Sequence, residues 1–164
     1  TRCVEIAKKH GLKVKALMSV GHAGESAETI ENTKNWLLQT QPEEFDCTII
    51  TTYPGSPYFD EAIKSGDHYV YTSKLTGDKL YQKSLNYLTE QDYYKGDPSG
   101  GYISYVWTDH ISAENLVKER EALEREVREK LNIPFYSARP GVKYEHSMGQ
   151  GNIIIPDFIL KKTG

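Results

Sequence analysis

Two short segments hold the groups best suited to gripping a ligand: Val20-Gly21-His22-Ala23-Gly24-Glu25-Ser26 and Thr51-Thr52-Tyr53-Pro54-Gly55-Ser56-Pro57. In the first, two glycines let backbone come close to a bound molecule. A helix starting at Ser26 would add unpaired N–H groups. In the second, a row of hydroxyls can bind a ligand or cap backbone. Taken singly, each segment also reads as an ordinary turn. A third candidate is His146, set between Glu145 and Ser147 in a glycine-rich stretch. Metal or substrate binding there competes with plain polar surface, the default for a lone loop histidine. Asp109 and His110 could pair, though capping of the helix that follows is the simpler use. Tyr93, Tyr94, Tyr102 and Tyr105 could line an aromatic cavity or cover a core edge with their hydroxyls in water. Trp36 and Trp107 read as packing.

Cys3 and Cys47 are the two cysteines, far apart and without CxxC spacing. A disulfide scaffold is not expected, and reduced thiols in a cytoplasmic protein fit best. Two thiolates are too few for a four-iron cluster. The 164 residues suffice for a real core, and a net charge of −3 gives no reason to expect nucleic acid. Mean hydropathy is −0.61. No apolar run approaches the roughly 18–20 residues that span a bilayer, so no membrane partner is expected.

The elements that must position these residues follow from the pattern. Val4, Ile6 and Ala7 recur at helical spacing, and Gly11 stops that helix. Thr1 thus opens on a helix already under way, as in a truncated chain. Leu12–Val20 reads as a strand. Ser26 caps a helix running to about Thr40 on an Ile30, Leu37, Leu38 face, and Pro42 closes it. Asp46–Thr52 is the next strand, and Tyr58–Lys64 a short helix ended by Ser65-Gly66. Strand and helix in alternation imply parallel strands with crossover helices. The pattern then changes. A hairpin is expected around Thr76-Gly77-Asp78, a loop at residues 96–101, and a strand over Tyr102–Thr108. The longest helix runs over Ala113–Leu131, capped by Ser112, with a Leu116, Leu123, Val127, Leu131 seam. Its outer face carries Glu121–Arg125, Glu124–Arg128 and Glu126–Lys130 pairs. Residues 135–164 read as largely irregular, with an apolar run at Ile153-Ile154-Ile155.

The two loops taken together are more specific than either alone. Gly11 through Ser26, ending Val20-Gly21-His22-Ala23-Gly24-Glu25-Ser26, resembles the fifth-strand segment of radical S-adenosylmethionine enzymes, which ends in a phrase like V-G-x-P-G-E-T. Tyr53-Pro54-Gly55-Ser56-Pro57 resembles the Y-P-G-T-P after their sixth strand, including members with an attached cobalamin-binding domain. Ala23 stands for the usual Pro and Ser26 for the usual Thr. The likeness covers about residues 1–65.

The resemblance implies an α/β fold: the last two strand–helix units of a partial (β/α)6 barrel at residues 1–66, then an α+β extension with a long helix at 67–164. It implies S-adenosylmethionine and a 4Fe-4S cluster as cofactors of the parent protein. Val20, Gly21 and His22 would then lie near the adenine, and Thr52 and Tyr53 near adenine or substrate. Glu25 reads as a helix-start carboxylate. No CxxxCxxC occurs here, so the fragment alone is expected to hold no cluster and no radical chemistry. Its partners would be the missing N-terminal part of the same protein and a substrate that the sequence does not name. The rival reading is a self-sufficient, non-catalytic α/β module, paired as a homodimer through exposed sheet edges. An ordinary α/β transferase is a third reading.

Overall fold

A computed structural model describes residues 1–85 and 103–134. The expected loop at 96–101, Tyr93, Tyr94, Tyr102, His146 and the 153–155 run lie outside the described residues.

The first elements are α1 (Arg2–Lys9), β1 (Lys15–Val20), α2 (Ala27–Thr40) and β2 (Glu44–Ile49). β1 and β2 pair in parallel, Ala16 opposite Phe45 and Val20 opposite Ile49. α2 is the crossover between them. Ser26 starts it with a capping box: its Oγ accepts from Thr29 N–H, and Thr29 Oγ1 accepts from Ser26 N–H. Gln41 ends it in a left-handed conformation. Alternation along the strands sends Ala16, Val20, Phe45, Cys47 and Ile49 into the core. The opposite face carries Lys15, Leu17, Ser19, Asp46 and Thr48, and it is exposed or half-exposed.

Next come α3 (Pro57–Asp60), β3 (Ile63–Ser65), β4 (His68–Thr72), β5 (Lys79–Lys83), β6 (Val106–Trp107) and α4 (Ala113–Leu131). Strands β3 to β6 form an antiparallel sheet in chain order. The hairpin around Thr76-Gly77-Asp78 is present. The helix expected over Tyr58–Lys64 is instead a single turn followed by a strand. The physical reason is the turn beyond it. Ser65 pairs with His68, so Gly66-Asp67 is a two-residue hairpin turn, and Gly66 supplies its positive φ of 64°. The strand expected over Tyr102–Thr108 is reduced to Val106–Trp107 among the described residues. The strand expected to reach Thr52 ends at Ile49.

α4 has the expected limits, with Ser112 Oγ accepting from Asn115 N–H and Asn132 left-handed at its end. It packs across β2 and beside α2 and β6. Leu116, Leu123 and Val127 are buried there with Ile30 and Leu37. One expectation fails on this helix: Glu124 and Arg128 are not on its outer face. They are buried together with Arg120, at 1%, 6% and 5% exposure. Arg120 Nε donates to Cys47 O at 2.7 Å, and Arg128 Nη2 donates to Phe45 O at 3.0 Å. Glu124 lies between them and accepts from Arg128 Nε at 2.5 Å and Arg120 Nη2 at 3.3 Å. The charges are therefore paired and their donors turned onto backbone, the arrangement that burial of ions demands. The tool for this burial is the guanidinium fork, which can hold a carboxylate and a carbonyl together.

Candidate functional site

β1 and β2 run side by side, so their C-terminal ends bring the two predicted loops together. That end of a parallel sheet is where α/β proteins bind ligands. The first loop is wired from within. Glu25, 8% exposed, accepts from Gly21 N–H at 2.9 Å and from the Thr29 hydroxyl. It is the helix-start carboxylate that the sequence suggests. Glu25 O in turn accepts from Thr108 Oγ1 at 2.6 Å, which ties the loop to the segment before α4.

Gly21 has φ of +92°, and a Cβ there would sit 3.0 Å from Leu116 Cδ2 and 3.1 Å from Val106 Cγ2. Its missing side chain makes room for α4 and β6. At Gly24, φ is +82° and a Cβ would meet the Asp78 carboxylate at 2.7 Å, so the hairpin turn rests directly on this loop.

The second loop is held by Gln82, itself 2% exposed. Thr52 Oγ1 donates to Gln82 Oε1, and Gln82 Nε2 donates to Tyr58 O at 3.1 Å. Ser56 closes the turn onto Tyr53 O, through its N–H at 3.0 Å and its hydroxyl at 2.6 Å. Thus one amide from β5 fixes the end of the second loop and the start of α3.

The five predicted site residues fall into two groups. Val20, Gly21 and Thr52 are enclosed, Val20 fully and Thr52 at 4% exposure. His22 is half-buried and Tyr53 is 39% exposed. A molecule arriving from outside meets His22 and Tyr53 first. His22 is not alone: Ser19 Oγ lies 2.8 Å from its Nε2, and Tyr58 OH lies 3.3 Å from its Nδ1. Tyr58 meets Tyr71 edge-on, centroids 4.8 Å apart. Burial pushes the Tyr58 phenol above its ordinary pKa; the charges of Tyr71 and Glu25 push the same way, and the Ala23 backbone opposes them. Tyr58 is therefore a neutral hydroxyl at physiological pH.

Ser19, Tyr58 and Gln82 were not singled out by sequence. A signal existed for Gln82: it follows Leu80 by two in a strand, so it shares the inward face. Of the other candidates, Asp109 Oδ1 accepts from Tyr81 OH at 2.7 Å and Ser112 supplies the cap. That hydrogen bond raises the Tyr81 phenol pKa, with burial and the Asp109 charge adding to it. Trp107 stacks on Tyr81 at 5.8 Å, and Trp36 Nε1 donates to Thr1 Oγ1 at 3.3 Å.

Cys3 is exposed on α1 and Cys47 buried in β2, so the pair does not fit an iron–sulfur cluster. Among the described residues, no three His, Cys, Asp or Glu side chains gather as a metal site. Among them too, no helix is long and apolar enough to cross a membrane.

The chain is similar to a bacteriochlorophyllide d C-12(1)-methyltransferase of Chlorobaculum tepidum, 24% identical over 115 residues. The match takes in 60% of this chain and 25% of that protein, so the chain spans about a quarter of the curated relative's length. No protein-family model matches the chain, and no solved structure matches it.

Proposed function

We propose that this chain is the C-terminal portion of a radical S-adenosylmethionine enzyme that modifies a small molecule by methyl transfer or related chemistry. The observation that carries the reading is the meeting of the two loops at the ends of adjacent parallel strands, where an S-adenosylmethionine site would need them. The partial likeness to a methyltransferase supports it, because S-adenosylmethionine is a methyl donor. On this reading β1 and β2 are the last strands of a partial (β/α)6 barrel, and residues 67–164 flank its substrate side. His22 and Tyr53 would touch the cofactor or substrate, while Val20, Gly21 and Thr52 shape the loops from behind. The cofactor and a 4Fe-4S cluster held by thiolates outside this chain would supply the cleavage chemistry. This chain's own part is to orient the ligand and exclude water.

The test is the coding sequence before Thr1 and the protein it specifies. A CxxxCxxC should lie roughly 100–150 residues upstream, the length of the preceding barrel units. The longer protein, purified without oxygen, should bind iron and sulfide and release 5'-deoxyadenosine from S-adenosylmethionine. A reading frame without the three cysteines sinks the proposal.

One observation favours the second reading, a non-catalytic module that pairs with its own copy. Leu17 stands 76% exposed on β1, beside a strand edge with no partner among the described residues. A 164-residue chain that sediments as a dimer and loses the dimer on Leu17→Lys supports this reading. A monomer removes it.

A further inference from the structure

The hydrogen-bonded line from Ser19 through His22 to Tyr58 has a geometry that neither a turn nor a nucleotide cradle requires. Ser19 is exposed on the open face of β1, with Oγ 2.8 Å from His22 Nε2. The other ring nitrogen, Nδ1, is 3.3 Å from Tyr58 OH. A hydroxyl in reach of an imidazole, with a third group orienting the ring from behind, is the arrangement that activates a hydroxyl. The third group here is well anchored. Tyr58 is packed by Tyr71, and its carbonyl is held by the buried Gln82. The groups that meet the His22 ring are Ser19 and Tyr58; Tyr71 of β4 and Glu25 of the same loop act on the Tyr58 hydroxyl, and Asp78 lies over Gly24.

We propose that Ser19, His22 and Tyr58 form a proton relay that opens at Ser19 Oγ onto the exposed face of the β1–β2 sheet. His22 Nδ1–H donates to Tyr58, which leaves the Nε2 lone pair to accept from Ser19 O–H. A ligand bearing an acidic O–H or N–H loses its proton to Ser19 Oγ as Ser19 passes its own to Nε2. One ligand–hydrogen bond breaks, one N–H bond forms, and the ligand leaves as its conjugate base beside an imidazolium. No electrons change hands. The ligand class is a small molecule with such a proton, seated against Ser19. Ser19 and His22 would be the catalytic residues and Tyr58 a positioning residue. The relay needs neither a cluster nor S-adenosylmethionine, so it stands or falls apart from the function proposed above.

The test uses the 164-residue chain and an alkyl fluorophosphonate. In that reaction the Ser19 O–P bond forms, the P–F bond breaks, fluoride leaves and the proton goes to His22. Mass spectrometry should find the label on Ser19 and not on Ser65 or Ser112, which are exposed but whose hydroxyls bond no histidine ring among the described residues. His22→Asn should slow labelling on the order of 100-fold, the usual worth of a positioned base. Tyr58→Phe should slow it several-fold. Long-range proton–nitrogen spectra should show the Nδ1–H tautomer in the unmodified protein and a mixture in Tyr58→Phe, a change that a merely structural tyrosine would not produce. Labelling of Ser19 no faster than Ser65, or unchanged in His22→Asn, overturns the relay. Should His22→Asn fail to fold, the unmodified protein decides: a dominant Nε2–H tautomer overturns the assignment.

Discussion

The two edges of the β1–β2 sheet are opposites. In a parallel pair, alternate residues of each strand face the partner. Val14 O accepts from Glu44 N–H and Val20 O from Ile50 N–H, so the even-numbered residues of each strand point into the ladder. The odd-numbered residues point outward. On β2 those outward carbonyls, Phe45 O and Cys47 O, receive the buried guanidinium protons of Arg128 and Arg120. On β1 the outward groups belong to Lys15, Leu17 and Ser19, and no strand pairs with them among the described residues. One edge is sealed from within the chain and the other is left ready for a strand. The lesson concerns α4. Besides covering the core, it ends the sheet at β2, so any growth of the sheet must come from the β1 side.

The largest break in this comparison should come from unsealing β2. Arg128→Ala takes from the Glu124 carboxylate its shorter bond, leaving it the Arg120 contact at 3.3 Å, and strands the Phe45 carbonyl in the interior. Loss of one member of a buried ionic network costs about 3–5 kcal/mol. Urea unfolding of the variant should show that loss. A cost under about 1 kcal/mol would mean that solvent reaches the network and that the edge is not sealed by it.

Proline tests the two edges directly, because it removes one N–H at a chosen place. Met18 sends its N–H into the ladder. Met18→Pro therefore deletes a hydrogen bond and leaves its acceptor buried, a cost of about 2–4 kcal/mol. Leu17 sends its N–H outward, so Leu17→Pro should leave the ladder intact and lower the melting temperature much less. Equal losses for the two variants would contradict the register.

A smaller loss is expected where the first loop passes under α4. Gly21→Ala puts a methyl 3.0 Å from Leu116 Cδ2 and 3.1 Å from Val106 Cγ2, at a φ of +92°. Overpacking and left-handed strain together should cost about 1–3 kcal/mol. Thermal unfolding measures it. Gly55→Ala is the control, since φ is +90° there but nothing lies within 4 Å of the new methyl. The excess at Gly21 reports how closely α4 and β6 pack onto the loop.

Much of this was legible. Ser112, the Leu116–Leu123–Val127 seam and Asn132 set the limits of α4, because caps and periodicity are local signals. The Ser26 cap and the two strand-end loops were legible for the same reason. What escaped depends on what packs against what. Glu124–Arg128 has the spacing of a solvated i,i+4 pair, yet Arg120 lies four residues past Leu116 and three before Leu123, inside the seam. That position was the available warning that charge would be buried. Gly21 read as room for a ligand, whereas the neighbours it accommodates come from residues far along the chain. Ser65-Gly66 reads as a helix stop, whereas Ser65 ends β3 and Gly66-Asp67 is the hairpin turn, so β3 is not legible. Ser19, Tyr58 and Gln82 carry no motif; only the fold brings them to the loops.

The weakest test concerns what keeps α4 seated over the sealed edge. Lys34 of α2 bonds Glu126 of α4 at 2.9 Å and Glu31 at 2.7 Å. The hydrogen bond that Lys34 donates to Glu126, then that to Glu31, raises the Lys34 pKa, and the same bond holds the Glu126 carboxyl below its ordinary range. A lowered carboxyl contributes stability above its unfolded pKa and loses it as pH falls through the folded value. A raised lysine contributes below its unfolded pKa and loses it as pH rises through the folded one. The link should therefore act across the neutral range and fade at both extremes. Lys34→Met should destabilise slightly at pH 7, less in high salt, and hardly at all once Glu126 is protonated. Denaturant midpoints for both proteins across acidic to neutral pH check this. A gap that persists at pH 2 would assign the effect to the packing of the Lys34 stem, and α4 would then be held over β2 by apolar contact and the buried arginines alone.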